Sequence, residues 1–160
     1  MKELPERKHI RIQGHDYSEP GAYFVTICTA KREALFWNEG GGETCSPAAV
    51  SLSDTGIIVN REIGKLNTVY DAVGVEKYCI MPDHIHLVIR IDNDGSGRTQ
   101  FAPTISRVIK QFKASITKKI GRPIWQKSFY EHCIRNRQDY DEIWQYIENN
   151  PLKYIMKKST

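Results

Sequence analysis

Two strands and a short turn are encoded by residues 73–91, with the sequence VGVEKYCIMPDHIHLVIRI. Apolar and β-branched residues are frequent from Val73 to Met81 and again from His84 to Ile91, and each run predicts a strand. Only Pro82 and Asp83 separate the two runs. A connection this short favours an antiparallel hairpin, so we expect the two strands to be neighbours in an antiparallel sheet.

His84 and His86 share one face of the second strand, because successive side chains on a strand point to opposite faces. The other face should pack against helices and carries Ile85, Leu87, Ile89 and Ile91. Two imidazoles separated by one residue can bind the same divalent ion, and with an oxygen ligand they suit magnesium, manganese or zinc. Taken alone, the H-x-H pattern favours a simpler interpretation, in which both histidines lie on the polar side of an exposed strand.

The patterns on either side of this hairpin predict more of the fold. Tyr23 to Thr29 predicts a first strand. A helix capped by Ser53 and Asp54 should run to about Leu66. Apolar residues then recur at helical spacing from 105 to 120, and the pattern stops at Gly121-Arg-Pro123.

The end of the chain predicts one further helix. Asn136 and Asp139 form a variant capping box, and the helix should end near Pro151, because the residue before a proline disfavours helical geometry. A basic tail would follow at 153–160, and 124–134 reads as a short strand or an ordered loop. The whole order predicts an α+β fold with a ferredoxin-like or RNA-recognition-like antiparallel sheet, helices on one face and an added C-terminal helix.

Tyr146 and Asn150 lie four residues apart, so they share one face of the final helix. A phenol, with an ordinary pKa of about 10, needs a neighbouring cation or base to attack phosphorus. A metal held by His84, His86 and the Asn150 amide oxygen could polarise a phosphate and orient it for in-line attack by Tyr146. The product would be a covalent phosphotyrosine, from which the broken strand can be rejoined without ATP.

Each of these helix residues also has a structural interpretation. An aromatic residue on a terminal helix, such as Tyr146, usually belongs to the core, and Asn150 before Pro151 could cap the helix. Tyr140 is a rival nucleophile, but Trp144 occupies the position one turn ahead, where Tyr146 has an amide. Only the histidine and tyrosine motifs together favour metal-assisted phosphoryl transfer.

Length and composition limit the class of protein. The chain has 160 residues, 40% hydrophobic and 26% charged, with a net charge of +4, as expected of one globular domain. No apolar run approaches the ~20 residues needed to cross a bilayer, and the N-terminus lacks the apolar segment of a signal peptide, so we expect a cytoplasmic protein. No C-x-x-C pair occurs, and we expect free thiols at Cys28, Cys45, Cys79 and Cys133.

Several segments, taken in order, resemble a known family. Met81 to Ile89, MPDHIHLVI, resembles the H-hydrophobe-H motif of the single-tyrosine HUH transposases, which act on single-stranded DNA. Residues 125–136, WQKSFYEHCIRN, and 146–151, YIENNP, resemble the C-terminal blocks of one branch, the REP-associated tyrosine transposases. The opening strand 23–27, YFVTI, and Leu35-Phe36 match as well. The resemblance covers roughly residues 20–155, and the ordered set is specific.

The resemblance implies an RNA-recognition-like fold and metal-dependent nicking and joining of single-stranded DNA near hairpins, through a 5′-phosphotyrosine and a free 3′-OH. By this likeness His84 and His86 are ligands of a divalent metal ion, Mg or Mn, and Tyr146 is the nucleophile. Asn150 takes the position of a third ligand, often glutamine in relatives, and is shorter by one methylene. Relatives act as monomers or as homodimers that exchange the tyrosine helix. The Gly-rich insertion at about 38–53 has no family role that we can assign.

Basic residues are concentrated in the second half of the chain. Contacts from such residues to DNA phosphates are salt-dependent and independent of sequence. We expect five of them to contact the DNA: Lys110, Lys113, Lys127, Arg135 and Arg137. A solvated helix face is the simpler interpretation for any one lysine. Trp125 and Phe129 could stack on unpaired bases, although core packing is the simpler expectation for at least one of them.

We therefore expect a single-strand DNA endonuclease and ligase of transposase type, formed by one domain over 1–160. Two other functions are compatible with the sequence. A nucleic-acid-binding module that had lost catalysis would bind hairpins without forming a covalent adduct. A metal-dependent phosphodiesterase that uses water, with Tyr146 in the core, would cleave DNA without becoming attached to it. The intact set of His84, His86, Tyr146 and Asn150 favours the transposase.

Overall fold

The computed structural model describes residues 21–38, 51–70, 72–91 and 104–158. Within these ranges four strands and three α-helices follow one another along the chain. The strands are β1 (Gly21–Cys28), β2 (Val73–Ile80), β3 (His84–Ile91) and β4 (Tyr130–Ile134). The helices are α1 (Asp54–Val69), α2 (Ile105–Ile120) and α3 (Arg137–Lys158), and a single 3-10 turn, Ala30–Arg32, follows β1.

The four strands form one antiparallel sheet in the order β2-β3-β1-β4. Strand β3 pairs with β2 across a short turn, as the hairpin pattern predicted, and with β1 on its other side. In the β1–β3 register His86 lies opposite Thr26, and His84 lies opposite Cys28. The order of elements and strands confirms the predicted α+β, ferredoxin-like fold.

Helices α1 and α2 cover one face of the sheet. Ile85, Leu87 and Ile89 of β3 are fully buried in a cluster with apolar residues of both helices, among them Ile63 and Ile109. Fully burying an isoleucine or leucine side chain contributes about 1.5–3 kcal/mol. The two faces assigned to β3 from strand alternation are confirmed.

Helix α3 covers the opposite face, which carries both histidines. Ile147 of α3 is buried in a second cluster with Phe24 and Val88 of the sheet. His86 is only 4% exposed, so the simpler interpretation of the pair, two polar residues on an exposed strand, does not hold for His86. The histidines lie in a layer between the sheet and a helix.

The predicted starts and ends of α1 and α2 are close to the observed ones. Ser53 caps α1 by accepting a hydrogen bond from the Gly56 N–H at 3.0 Å. Gly121 ends α2 in the left-handed conformation, with a φ of 89°. A side chain at Gly56 would place its Cβ 2.2 Å from the backbone oxygen of Phe36, so the first turn of α1 requires glycine there.

The predicted end of the last helix was wrong. Asn136 accepts a hydrogen bond from the Asp139 N–H at 2.8 Å, as the capping pattern predicted, but α3 continues through Pro151 to Lys158. It therefore includes most of the expected basic tail. Proline removes one backbone hydrogen bond from a helix interior. The Tyr154 ring lies edge-on to Trp37, with 5.3 Å between centroids, and this packing helps to hold the turn beyond the proline.

Some expectations fall outside the described residues. They concern the N-terminus (1–20), most of the Gly-rich insertion (39–50) with Cys45, and the turn at 92–97. The three described cysteines, Cys28, Cys79 and Cys133, are not joined in disulfides. In the described ranges no helix is both long enough and apolar enough to cross a membrane.

Candidate active site

A groove of about 630 Å³ lies between the sheet and α3. Strands β1 and β3 line it with Phe24, Thr26, His84 and His86, and the edge strand β4 adds Tyr130 and His132. Arg32 and Met81 come from the turns that follow β1 and β2. The sheet therefore brings both predicted histidines to the wall of one groove.

One face of α3 forms the opposite wall. Successive groove residues on α3 are three or four positions apart, so they lie on one side of the helix. They are Asp139, Ile143, Tyr146, Asn150 and Tyr154. At the start of the helix, Asp139 Oδ2 lies 2.8 Å from His132 Nε2 of β4. At the other end, Tyr154 packs against Trp37. Tyr146 and Asn150 lie between these two attachments, facing the sheet.

His86 is oriented by a hydrogen bond from the neighbouring strand. Its Nδ1 lies 2.8 Å from the Thr26 hydroxyl, and its ring stacks on Phe24 with 5.3 Å between centroids. His86 Nε2 is buried and has no hydrogen-bond partner among the described residues. With the proton on Nδ1 donated to Thr26, the Nε2 lone pair is free for a ligand, which is the arrangement that metal-binding histidines adopt.

His84 is oriented by a carboxylate. Its Nδ1 lies 2.7 Å from Asp83 Oδ1, and Arg32 Nε donates a hydrogen bond to the second oxygen of Asp83 at 3.0 Å. The two histidine rings are 4.7 Å apart between centroids. Because Nδ1 is occupied by Asp83, His84 also has Nε2 available for a metal ion.

Both imidazoles are held in the neutral form that a metal requires. Burial, together with the neighbouring His84 and Arg32, lowers the pKa of His86 to about 3. Burial also lowers the pKa of His84, and it outweighs the Asp83 carboxylate, which raises that pKa. At neutral pH, protons would therefore not compete with a metal ion for either imidazole.

Tyr146 lies beside this pair. Its ring is 5.4 Å from the His86 ring and 6.2 Å from Phe24, between centroids. The residue is 49% exposed, so the core interpretation of Tyr146 does not hold. The phenol can meet both a substrate in the groove and whatever the histidines bind.

Two further tyrosines lie near the start of α3, Tyr130 on β4 and Tyr140 in the first turn of the helix. Tyr140 donates a hydrogen bond to Glu76 at 3.3 Å and lines a different cleft, so this rival nucleophile is not at the histidine pair. Desolvation and Glu76 raise the pKa of Tyr140, which makes it a poorer nucleophile. Tyr130 is 51% exposed and lines the same groove from the β4 edge.

The residues present fit a divalent ion. Asn150 Nδ2, like His86 Nε2, is buried without a hydrogen-bond partner among the described residues. A carboxamide can turn its oxygen into the position of its nitrogen, so Asn150 can offer an oxygen ligand to the groove. In the described ranges no cluster of three or more His, Cys, Asp or Glu side chains could hold a metal, and Asn150 lines the groove with the histidine pair as the candidate for a third ligand.

The five expected DNA contacts do not line this groove. Lys110 and Lys113 belong to α2, on the other face of the sheet, and Lys113 donates to the Gln126 carbonyl at 2.6 Å. Lys127 is exposed before β4. Arg135 and Arg137 flank the start of α3, in the separate cleft that Tyr140 and Arg90 also line.

The two aromatic candidates for base stacking belong to the core layer instead. Trp125 is 9% exposed and packs against Phe36 and Phe112 beneath α1 and α2. Phe129 is partly buried against the same cluster. Core packing therefore accounts for Trp125, which is not available to stack on a base.

The polar groove residues Thr26, Arg32 and His132, and Asp83 beside His84, were not singled out from the sequence as functional residues. Thr26 reaches His86 only through the β1–β3 register, and Arg32 is 51 residues from Asp83 along the chain. A signal existed for Asp83, since a carboxylate directly before a candidate metal-binding histidine is a common orienting partner. His132 lies within a segment that the resemblance matched, but no spacing connects it to the histidine pair.

Comparison with known proteins places these residues in a family. Residues 62–150 match the family model described as Transposase IS200 like, and this range includes both histidines, Tyr146 and Asn150. An uncharacterised protein of Haemophilus influenzae is 30% identical over 168 aligned positions, which cover 93% of this chain and 90% of that protein.

Shorter matches connect the chain to REP-associated tyrosine transposases. A candidate transposase of this kind from H. influenzae is 36% identical over 84 residues, and one from Escherichia coli is 31% identical over 80 residues. These matches span 48% and 45% of the two relatives, about half of their length. The solved structure of a REP-associated tyrosine transposase bound to a REP hairpin has a TM-score of 0.64 at 22% identity, over 90% of this chain and 74% of that one. That likeness shows a shared fold.

Proposed function

Because this chain belongs to the IS200-like transposase family, we propose that it nicks and rejoins single-stranded DNA near hairpins through a covalent bond between the DNA and Tyr146. The observation that carries the proposal is the position of Tyr146, half-exposed in the groove with its ring 5.4 Å from His86. A tyrosine that served only the core would be buried. One that served only solubility would lie on the outer face of α3.

The proposed reaction exchanges one phosphodiester for another. The Tyr146 phenol oxygen forms a bond to phosphorus, and its proton leaves to water. The bond between phosphorus and the 3′ oxygen breaks, and that oxygen takes up a proton to become a free 3′-OH. The 5′ end stays attached to Tyr146, and attack by a 3′-OH reverses the steps, so rejoining needs no ATP.

His84, His86 and Asn150 would hold the divalent ion, Mg or Mn, beside Tyr146. When bound, such an ion stabilises negative charge on the phosphate oxygens as a Lewis acid. The chain itself supplies positioning, since Thr26 and Asp83 orient the two imidazoles and α3 presents the phenol to them. Placing reactants in this way contributes much of the rate of a phosphoryl transfer.

Hairpin DNA is proposed as the substrate because the solved relative is bound to a REP hairpin. The sheet-side cleft at the start of α3 could take the phosphates of a stem, since Arg90, Arg135 and Arg137 line it. Arginine binds phosphate through two parallel hydrogen bonds, and these contacts are independent of sequence. Arg135 and Arg137 are two of the five basic residues that we expect to contact the DNA.

The test uses labelled single-stranded oligonucleotides that carry the hairpins flanking the protein's own gene, with Mn²⁺ or Mg²⁺, followed by a denaturing gel. We expect a metal-dependent protein–DNA adduct for the wild-type chain. Tyr146→Phe and His86→Ala should lack it, and Tyr140→Phe, outside the groove, should retain it. Tyr130→Phe tests the second exposed tyrosine of the groove and should also retain the adduct.

The two rival functions predict different results on this gel. Cleavage without an adduct that survives Tyr146→Phe would indicate a phosphodiesterase that uses water. Hairpin binding with neither cleavage nor adduct, in protein shown to contain metal, would indicate a binding module. Either result contradicts the proposal.

A further inference from the structure

The turn after β1 adopts a backbone conformation that ordinary side chains rarely take. Lys31 and Arg32 have φ angles of 55° and 56°, in the left-handed region that residues other than glycine avoid. Such strain persists only where the surrounding structure enforces it, and it is concentrated at functional sites. Arg32 lines the groove beside His84, so the strained residue faces the candidate active site.

Hydrogen bonds hold this turn against the turn that precedes His84. Thr29 is fully buried, and its N–H donates a hydrogen bond to the Asp83 carbonyl at 3.0 Å. The Leu35 N–H donates to the Pro82 carbonyl at 2.8 Å. The two turns therefore form one rigid unit, and the backbone fixes the position of Arg32 relative to His84.

The guanidinium of Arg32 is held in place by hydrogen bonds but keeps further N–H donors available. Its Nε donates to Asp83 at 3.0 Å, and Nη1 donates to the Cys28 sulfur at 2.8 Å. A guanidinium has five N–H groups, so these two bonds leave others for an incoming anion. The side chain is 51% exposed, and its Nη2 lies 3.5 Å from His84 Nδ1. Because Arg32 lines the same groove as the histidine pair and Tyr146, its exposed edge borders the space that a substrate there would enter.

We propose that Arg32 binds the scissile phosphate and stabilises the negative charge on its non-bridging oxygens while Tyr146 attacks. The inference rests on the proposed function and names a further catalytic residue for it. In phosphoryl transfer little covalent work is left to the protein, and positioned cations that meet the charge of the transition state account for much of the rate. Arginine suits this role because its fork matches two phosphate oxygens.

A purely structural role for Arg32 makes a different prediction. If the residue only held Asp83 against His84, its loss would weaken metal binding, and an excess of metal would restore the rate. If it binds the phosphate, its loss slows the reaction while the metal affinity stays near the wild-type value. The phosphate itself can also be altered, because a methylphosphonate replaces one charged oxygen by an uncharged methyl group.

The experiment compares wild-type protein, Arg32→Ala and Arg32→Lys in single-turnover adduct formation at saturating Mn²⁺ and DNA. Two oligonucleotides are used, one with the natural phosphodiester and one with a methylphosphonate at the mapped cleavage position. We expect Arg32→Ala to be slower by about 100-fold or more on the phosphodiester, with Arg32→Lys between it and the wild type. On the methylphosphonate most of this difference should disappear. Arg61→Ala, an exposed arginine on α1, should react like the wild type.

Calorimetric Mn²⁺ titration of the same proteins separates the two roles. An unchanged dissociation constant for Arg32→Ala supports the proposal. A weaker constant together with a rate restored by excess Mn²⁺ would overturn it, and so would equal losses on both DNA linkages or a wild-type rate for Arg32→Ala. Adduct in the wild type with no effect of Arg32 contradicts this inference alone, whereas no adduct in the wild type contradicts the proposed function as well. Matching melting temperatures show that the variant is folded.

Discussion

At the scale of single residues, the candidate site depends on hydrogen bonds that orient each imidazole. Thr26 bonds His86 Nδ1 at 2.8 Å, and Asp83 bonds His84 Nδ1 at 2.7 Å. The Asp83 carboxylate only accepts, so it selects the His84 tautomer that leaves Nε2 free, and the Thr26 hydroxyl leaves Nε2 of His86 free when it accepts from Nδ1. The two imidazoles are thereby aimed by groups that would not touch a metal themselves.

Replacement of Thr26 tests this orientation. Thr26→Val keeps the shape of the side chain and removes the hydroxyl, so we expect the Mn²⁺ dissociation constant to rise about 10–100-fold. Thr26→Ser keeps the hydroxyl and should bind nearly as tightly as the wild type. Isothermal titration calorimetry measures both. Equal affinity for the valine and wild-type proteins would contradict the role of Thr26 in aiming His86.

Some of these residues could be predicted from the sequence and others could not, for a physical reason. His84 with His86, and Tyr146 with Asn150, follow from the periods of a strand and a helix, which act over two and four residues. The structure brings these four to one groove, while their chemical roles stay predictions. The position of Arg32 depends on a left-handed turn and a partner 51 residues away, and neither leaves a periodic signal.

At the scale of elements, α1 contains two glycines with opposite requirements. A Cβ at Gly56 would lie 2.2 Å from the Phe36 backbone oxygen, whereas a Cβ at Gly64 would meet nothing within 4 Å. Gly56→Ala should therefore destabilise the fold by about 1–3 kcal/mol through overpacking. Gly64→Ala should stabilise it by up to about 1 kcal/mol, because alanine favours a helix interior. Urea unfolding of both variants checks this, and a stabilised Gly56→Ala protein would refute the close approach.

A carboxylate joins α1 to α2. Glu62 is buried and accepts hydrogen bonds from Lys119 and Ser115 of α2 and from Lys65 of its own helix. Burial raises the pKa of Glu62, but the bonds from Lys119, Lys65 and Ser115 outweigh it, so the pKa lies below its ordinary value of 4.5. A group with a lowered pKa in the folded state stabilises the fold above that ordinary value and loses this effect as the pH falls below it.

Glu62→Gln should accordingly lower the melting temperature at neutral pH. The difference from the wild type should stay constant down to the ordinary glutamate pKa of 4.5 and then shrink with further acidification. Thermal melts over a pH series measure it, with the exposed Glu142→Gln as the matched control. A difference that does not change with pH would show that the Glu62 charge does not join the two helices.

The ends of α3 show what local patterns predict and where they fail. The capping pair Asn136 and Asp139 predicted its start, because a cap acts on the backbone of its own turn. Pro151 suggested an end that the structure does not have. The residue before a proline disfavours helical geometry, but here the packing of Tyr154 on Trp37 supports the helix beyond Pro151. Trp37 and Tyr154 lie far apart in the sequence, so no local pattern predicts their contact.

At the scale of the whole molecule, one chain brings together both halves of the candidate site. The His86 and Tyr146 rings lie 5.4 Å apart although 60 residues separate them, because α3 returns across the face of the sheet that carries β3. The predicted alternatives were a monomer and a homodimer with exchanged helices. Both alternatives stay predictions, and they differ in whether the Tyr146 of one chain acts beside the His86 of the same chain or of a second copy.

Mixing inactive variants tests this arrangement. His84→Ala lacks a proposed metal ligand and Tyr146→Phe lacks the proposed nucleophile, so a site completed within each chain predicts no adduct from their mixture. Helix exchange between two chains would combine the intact halves and restore some adduct. The denaturing gel of the mixed proteins, with wild-type protein diluted into each variant as a positive control, decides between the two.

The identity of the attached residue tests the central claim most directly. The covalent adduct is digested with nuclease and trypsin, and two peptides are fragmented in a mass spectrometer: 138–153, which contains both Tyr140 and Tyr146, and 128–135, which contains Tyr130. The account predicts a nucleotide on Tyr146 and none on Tyr140 or on Tyr130 of the preceding strand. A nucleotide on either of those tyrosines, or no modified tyrosine in the presence of cleaved DNA, would contradict it.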